Sequence, residues 1–170
     1  MVIFMRQWIL SACSIFAIVV LALYSAQTKV HDYSSLSDLR VGLNANQLSF
    51  LGQPVSASER ERVYLLPDQS TLVVMIQDQK VTAAWMELRQ PLKVEDPQFK
   101  RLRFVQMGVD AALSPTWFYA AAADQGRIFK ISQQGLIESI TWVKPFEPQG
   151  RTVQLQALVQ EFTGQRAFSL

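Results

Sequence analysis

Residues able to do chemistry are few and scattered. The 170-residue chain has one histidine, His31, and one cysteine, Cys13. Catalysis by a nucleophile needs a base within reach of it. His31 instead stands beside Asp32 in a polar linker, where a solvated side chain accounts for it. One histidine and one cysteine do not make the usual zinc ligand sets. Glu59 and Glu61 alternate with Arg60 and Arg62, which reads as a self-paired solvated run. Glu95-Asp96 precedes a predicted helix, where acidic residues offset the positive end of the helix dipole. The seven glycines are dispersed, mostly at turns, and form no phosphate-cradling loop. The expectation is a protein that is not an enzyme, with no cofactor, no metal and no small-molecule substrate. A hydrolase using a carboxylate pair is the weakest alternative.

What remains is chemistry of contact. Lys100, Arg101 and Arg103 form the densest basic cluster. It reads as the wet face of an amphipathic helix, or as a contact for an acidic partner. Trp85, Trp117 and Trp142 read as core, and any of them left exposed on a sheet becomes the best anchor for a partner. Three clustered charges are too few to argue nucleic acid.

The element that must position all of this is the first one. Trp8–Tyr24 is seventeen residues without a charge. A bilayer core of about 30 Å needs about 20 apolar residues in a helix, with about 17 as the lower limit. Trp8 and Tyr24 sit at its ends, where amphipathic rings favour the headgroup layer, and Arg6 places the short stub on the cytoplasmic side. The expected topology is a single-pass signal anchor at residues 1–26. The amino terminus is then cytoplasmic and the rest lies in the periplasm or its equivalent, at the inner (cytoplasmic) membrane. Leu10-Ser11-Ala12-Cys13 has the letters of a lipid-attachment signal, but only Gln7–Ile9 separate it from Arg6, short of the roughly 7–15 apolar residues that such a signal needs. Tyr24 is too bulky for the usual cleavage pattern ending at Ala26. Ser14 and Ala17 are small residues through which another transmembrane helix could approach closely.

A linker, 27–36, follows. The exported part holds all fourteen acidic residues and, after Arg6, fifteen of the sixteen basic ones, a net charge near zero. It contains no cysteine, so packing alone must hold it. Residues 37–54 read as a short helix, with Asn44 as N-cap and Gly52 as stop. Val63–Leu66, Thr71–Ile76 and Val81–Leu88 read as an antiparallel three-strand meander that ends before Pro91. Pro97–Leu113 reads as a helix with Leu102, Val105 and Val109 on one face, although Arg101–Met107 also alternates like a strand. Trp117–Ala121, Arg127–Ser132 and Leu136–Val143 read as further strands. Within 147–170, Thr152–Thr163 reads as a closing helix that stops at Gly164.

The halves echo each other. An offset of 56 residues sets Asp68-Gln69 on Asp124-Gln125, Leu72 on Ile128, Met75 on Ile131 and Val81 on Ile137, and a one-residue slip brings Trp85 over Trp142. The fold class expected is α+β: a transmembrane helix, then a domain of antiparallel three-stranded meanders with packed helices. That domain spans 37–146 as two similar units, about 37–91 and 92–146.

Val41-Gly42-Leu43-Asn44, Gln47-Leu48 and Leu51-Gly52-Gln53-Pro54 form a pattern that resembles the opening signature of the SmpA/OmlA-like family. There a helix ending in Leu-Gly-x-Pro precedes a three-stranded meander. The resemblance covers roughly residues 40–88, and more loosely 100–146. It implies an interaction module of the kind found in small lipoproteins of outer-membrane assembly and in related tandem modules that bind proteins, with no chemistry of its own. The chain departs from the lipoprotein members in carrying a span without a credible lipid-attachment signal.

The expected function is a membrane-anchored accessory or assembly subunit. It would present an exported protein-binding domain to a larger membrane or envelope complex, with other envelope proteins as partners. The alternative is an exported binding or inhibitor module acting on a soluble partner or a lipid.

Overall fold

Eight strands hydrogen-bond side by side into one antiparallel sheet in the order β1-β2-β3-β4-β8-β7-β6-β5. They are β1 (Ser56–Ala57), β2 (Glu61–Leu65), β3 (Thr71–Gln77), β4 (Lys80–Lys93), β5 (Val105–Val109), β6 (Trp117–Ala122), β7 (Arg127–Ser132) and β8 (Leu136–Trp142). One α-helix, α1 (Leu155–Ala167), closes the described chain. The computed structural model describes residues 33–109 and 116–167. Trp8–Tyr24 with Ser14 and Ala17, and Cys13 and His31, lie outside the described residues. Among the described residues no helix is long and apolar enough to cross a membrane.

This corrects the expected fold class. The strands are not separate three-stranded meanders carrying packed helices. Two four-strand runs join through β4 and β8 into a continuous sheet, and among the described residues the helical pieces other than α1 are short 3-10 turns. The largest local correction is Pro97–Leu113. Pro97 opens only a 3-10 turn, Pro97–Phe99, and the chain then extends into β5. Pairing decides the outcome. Without β5 the long strand β6 would show an unpaired edge, and the Arg101–Met107 alternation lets Phe104 face the core while Val105 faces Ala121. Pro91 does not stop β4, which runs on to Lys93. Its pairing with β8 shifts between Glu87 and Leu92 to accommodate the break. Gly164 lies inside α1 rather than after it.

Other local signals were decisive where turn chemistry was explicit. Asn44 caps the 3-10 turn Ala45–Leu51: its Oδ1 accepts from Asn46 N at 2.9 Å while Gln47 Oε1 accepts from Asn44 N at 3.2 Å. Asp78 and Gln79 both take positive φ, 51° and 60°, as the two-residue hairpin between β3 and β4 requires. The β2–β3 turn is held by Ser70, whose Oγ donates to Asp68 Oδ2 at 2.6 Å and accepts from Arg89 N at 3.0 Å.

The core lies on one face of the sheet. Leu72, Val74, Met86, Phe118, Phe129 and Ile140 are buried there beneath Leu36, Leu39 and Leu48 of the N-terminal turns, Phe99 and Phe104 of the β4–β5 connection, and Leu155, Leu158 and Phe162 of α1. Phe129 receives the edges of Phe104 and Phe99 at 5.3 and 5.7 Å, and Phe118 meets Phe162 at 4.9 Å.

The two halves share a specific irregularity. Met75 pairs with Ala83 and Ile76 with Val81, leaving Thr82 bulged from β4; Lys130 pairs with Ser139 and Ile131 with Ile137, leaving Glu138 bulged from β8. Thr82 and Glu138 are 56 positions apart, the offset read from the sequence. Within β3 and β7 that offset is off by one: with the two bulges aligned Met75 corresponds to Lys130 rather than Ile131, because five residues separate Ile131 from its partner Ile137 where four separate Ile76 from Val81. The proposed overlay of Trp85 on Trp142 also fails. Trp85 pairs with Thr141, its true counterpart at the 56-residue offset, whereas Trp142 pairs with Ala84 on the opposite face.

Candidate functional site: the open face of the sheet

Directly paired residues of neighbouring strands point to the same side of a sheet. Following the pairs from Val63 through Val73, Trp85, Thr141 and Ile128 traces a row across β2, β3, β4, β8 and β7 on the face away from the core. Trp85 is its centre and is 39% exposed. The flanking row runs Leu65, Thr71, Glu87, Ser139, Lys130, Tyr119 and Gly108. Leu65 is 55% exposed, and Met107, bulged between Gln106 and Gly108 in β5, is 51% exposed. Among the described residues, three of the five large apolar side chains left exposed therefore belong to this one surface. At the β5 end, Val105 and Ala121 are buried, with Gly150 beside Val105.

A shallow groove of about 350 Å³ lies over the second half of this face, lined by Met107, Tyr119, Ile128, Lys130, Ser139 and Thr141. Its one cation is engaged: Lys130 Nζ is 3.5 Å from Glu138 Oε2 and 4.3 Å from the Trp117 ring centroid. Bulging of Glu138 out of β8 brings it toward Lys130 on the neighbouring strand.

The three tryptophans thus take three different places. Trp85 is exposed on the open face, Trp117 is half-buried at its edge beneath Lys130, and Trp142 is buried in the core with its Nε1 donor unpartnered. Beside Trp142, across the ladder, stands Arg127. Burial lowers its pKa from the ordinary arginine range, and its Nε also finds no acceptor. Reading Trp142 as core agrees with this placement, while the same reading of Trp85 does not.

Lys100, Arg101 and Arg103 are exposed but lie in the turn and extended segment before β5, not on a helix. Lys100 borders Glu95, Gln154 and Gln156 near the start of α1. Asp96 caps the 3-10 turn through Oδ1, which accepts from Gln98 N at 3.1 Å. Among the described residues no group of three or more His, Cys, Asp or Glu side chains is placed to hold a metal.

Sequence reading missed Val63, Val73, Tyr119, Ile128 and Thr141 as members of one surface. The available signal was Thr71–Ile76, TLVVMI, which is apolar at nearly every position rather than at alternate ones. Such a strand has apolar side chains on both faces. No family model, curated protein or solved structure matches the chain.

Proposed function

We propose that this chain is a membrane-anchored accessory subunit whose open sheet face docks a protein partner of the cell envelope. One observation carries the reading: Trp85 stands exposed at the centre of an apolar row on a sheet face that, among the described residues, is covered only at its β5 end. Large rings with a polar edge dominate protein interfaces, and exposed apolar surface gathered on one face is characteristic of binding sites. The apolar run Trp8–Tyr24 supports anchoring at the inner membrane, with the sheet on the exported side. The pattern Leu51-Gly52-Gln53-Pro54 and its resemblance to the SmpA/OmlA-like family support an interaction module over a catalyst.

The test is extraction of the tagged chain from membranes in mild detergent, with the co-purifying proteins identified for the wild type and for Trp85→Ala. A defined envelope protein recovered with the wild type and lost from the variant is the expected result. Recovery of a lone monomer, or a partner that ignores Trp85, overturns the proposal. Full function after residues 1–26 are exchanged for a cleavable signal would favour the exported module acting on a soluble partner.

A further inference from the structure

Two buried donors stand side by side on the covered side of the sheet. Arg127 and Trp142 are directly paired residues of β7 and β8, so their Cβ atoms lie about 4.5–5.5 Å apart on one face. Trp142 is 2% exposed, and both Trp142 Nε1 and Arg127 Nε are closed off from solvent with no acceptor among the described residues. Buried donors are nearly always satisfied, and one left without an acceptor carries its full desolvation cost. The guanidinium donates from Nη2 to the Ser37 carbonyl, and at 3.5 Å that bond is long. Among the described residues no carboxylate pairs with Arg127.

The first half of the sheet shows that packing does not require these donors. With the two bulges aligned, Arg127 corresponds to Leu72 and Trp142 to Met86, and Leu72 pairs with Met86 just as Arg127 pairs with Trp142. Leu72 and Met86 are fully buried, so an apolar pair fills the same place. A guanidinium and an indole N–H there add a desolvation cost that the long bond to Ser37 does not offset. We infer that Arg127 and Trp142 form a binding site for one carboxylate, which accepts from Arg127 Nε and Trp142 Nε1. A carboxylate brings two acceptor oxygens in the planar geometry that a guanidinium fork matches, and its single charge balances the single guanidinium. The turn Tyr33–Asp38, whose Ser37 carbonyl lies against Arg127, is the element that such a ligand would displace. The site lies on the side of the sheet away from Trp85 and stands independently of the docking role proposed above. Two sources share this chemistry, a small free carboxylate and an aspartate or glutamate side chain of a partner protein.

The full chain in detergent micelles, labelled with nitrogen-15, is titrated with acetate for the first source and with acetyl-glutamate amide for the second. Chloride and phosphate at equal ionic strength are the controls. Nuclear magnetic resonance follows the Trp142 indole N–H, assigned by its loss in Trp142→Phe, and the Arg127 Nε–H. The expected result is a saturable downfield shift of both signals with a carboxylate and none with chloride or phosphate. Arg127→Leu should abolish the response of the Trp142 signal. Arg127→Lys should weaken binding about tenfold or more, because an ammonium lacks the fork. Trp142→Phe should weaken the Arg127 response about tenfold, as loss of one hydrogen bond to a charged group does. A response to acetate supports the site with a free carboxylate as ligand, and a response confined to acetyl-glutamate amide supports it with a partner's side chain. Equal shifts with chloride or phosphate overturn the choice of a carboxylate. Binding that survives Arg127→Leu overturns the site. So do signals unmoved by either carboxylate, and a long-lived water in contact with both N–H groups would then account for the donors.

Discussion

Trp85 and Trp142 provide a direct test of which face of the sheet is which. Trp142 is 2% exposed and Trp85 is 39% exposed. Replacing a buried tryptophan with alanine costs about 3–5 kcal/mol through lost burial and the cavity left behind. Two features place Trp142→Ala at the lower end of that range. Its Nε1 has no acceptor, so its removal recovers part of the roughly 1–3 kcal/mol that an unsatisfied buried donor costs. Water admitted to the cavity would also solvate Arg127 directly opposite. The expected loss is about 3 kcal/mol for Trp142→Ala and below about 2 kcal/mol for Trp142→Phe, which keeps a ring and removes the donor. Trp85→Ala loses only cross-strand contacts with Val73 and Thr141, worth about 1 kcal/mol or less together. Urea unfolding of the compact unit Tyr33–Leu170, followed by far-ultraviolet circular dichroism, separates these values. With a slope of about 2 kcal/mol per molar urea, Trp142→Ala should lower the midpoint by about 1.5 M and Trp85→Ala by about 0.5 M or less. Equal shifts for the two alanine variants would refute the face assignment and, with it, the docking surface.

Three further outcomes follow from the packing. Arg127→Leu should stabilise the fold slightly, by less than about 1 kcal/mol in thermal unfolding, because the guanidinium is only partly desolvated and its Nη2 also donates to the Ser37 carbonyl at 3.5 Å, while its counterpart in the first half of the sheet is the fully buried Leu72. The sign agrees with linkage: a base whose pKa falls on folding penalises the folded state while it is protonated, and relief comes only at strongly alkaline pH, so the gain should persist through neutral pH. Gly126→Ala should cost at least about 2 kcal/mol, since Gly126 has φ 61° and an added Cβ meets the Val143 carbonyl oxygen and Pro145 N. A double-mutant cycle on Lys130 and Glu138 should give about 0.5 kcal/mol, falling as salt is added, because both side chains remain about one-third exposed.

Much was legible in sequence where the signal is local. The bounds of β7, Arg127–Ser132, can be read directly, as can the Asn44 cap, the Asp78-Gln79 turn and the apolar face of α1. Each depends on backbone preferences and spacing within a few residues. The segment after Pro97 failed because helix and strand patterns overlap there, and what decides between them is pairing with the edge of the next strand, β6, which lies outside the segment's own pattern. The offset of 56 was recoverable, but its phase in β7 was not, because the β7–β8 connection is one residue longer than the β3–β4 connection and a slip of one residue turns every side chain of the strand to the other face.

By itself the sequence determined the scarcity of catalytic groups, the apolar amino-terminal run and the strand-rich repeat, since composition and short-range periodicity suffice for these. Only the tertiary structure decided that two strand runs fuse through β4 and β8 and that Trp85, not Trp142, faces outward. Both depend on cross-strand register, which arises when chain segments far apart in sequence, such as Trp85 and Thr141, are brought side by side.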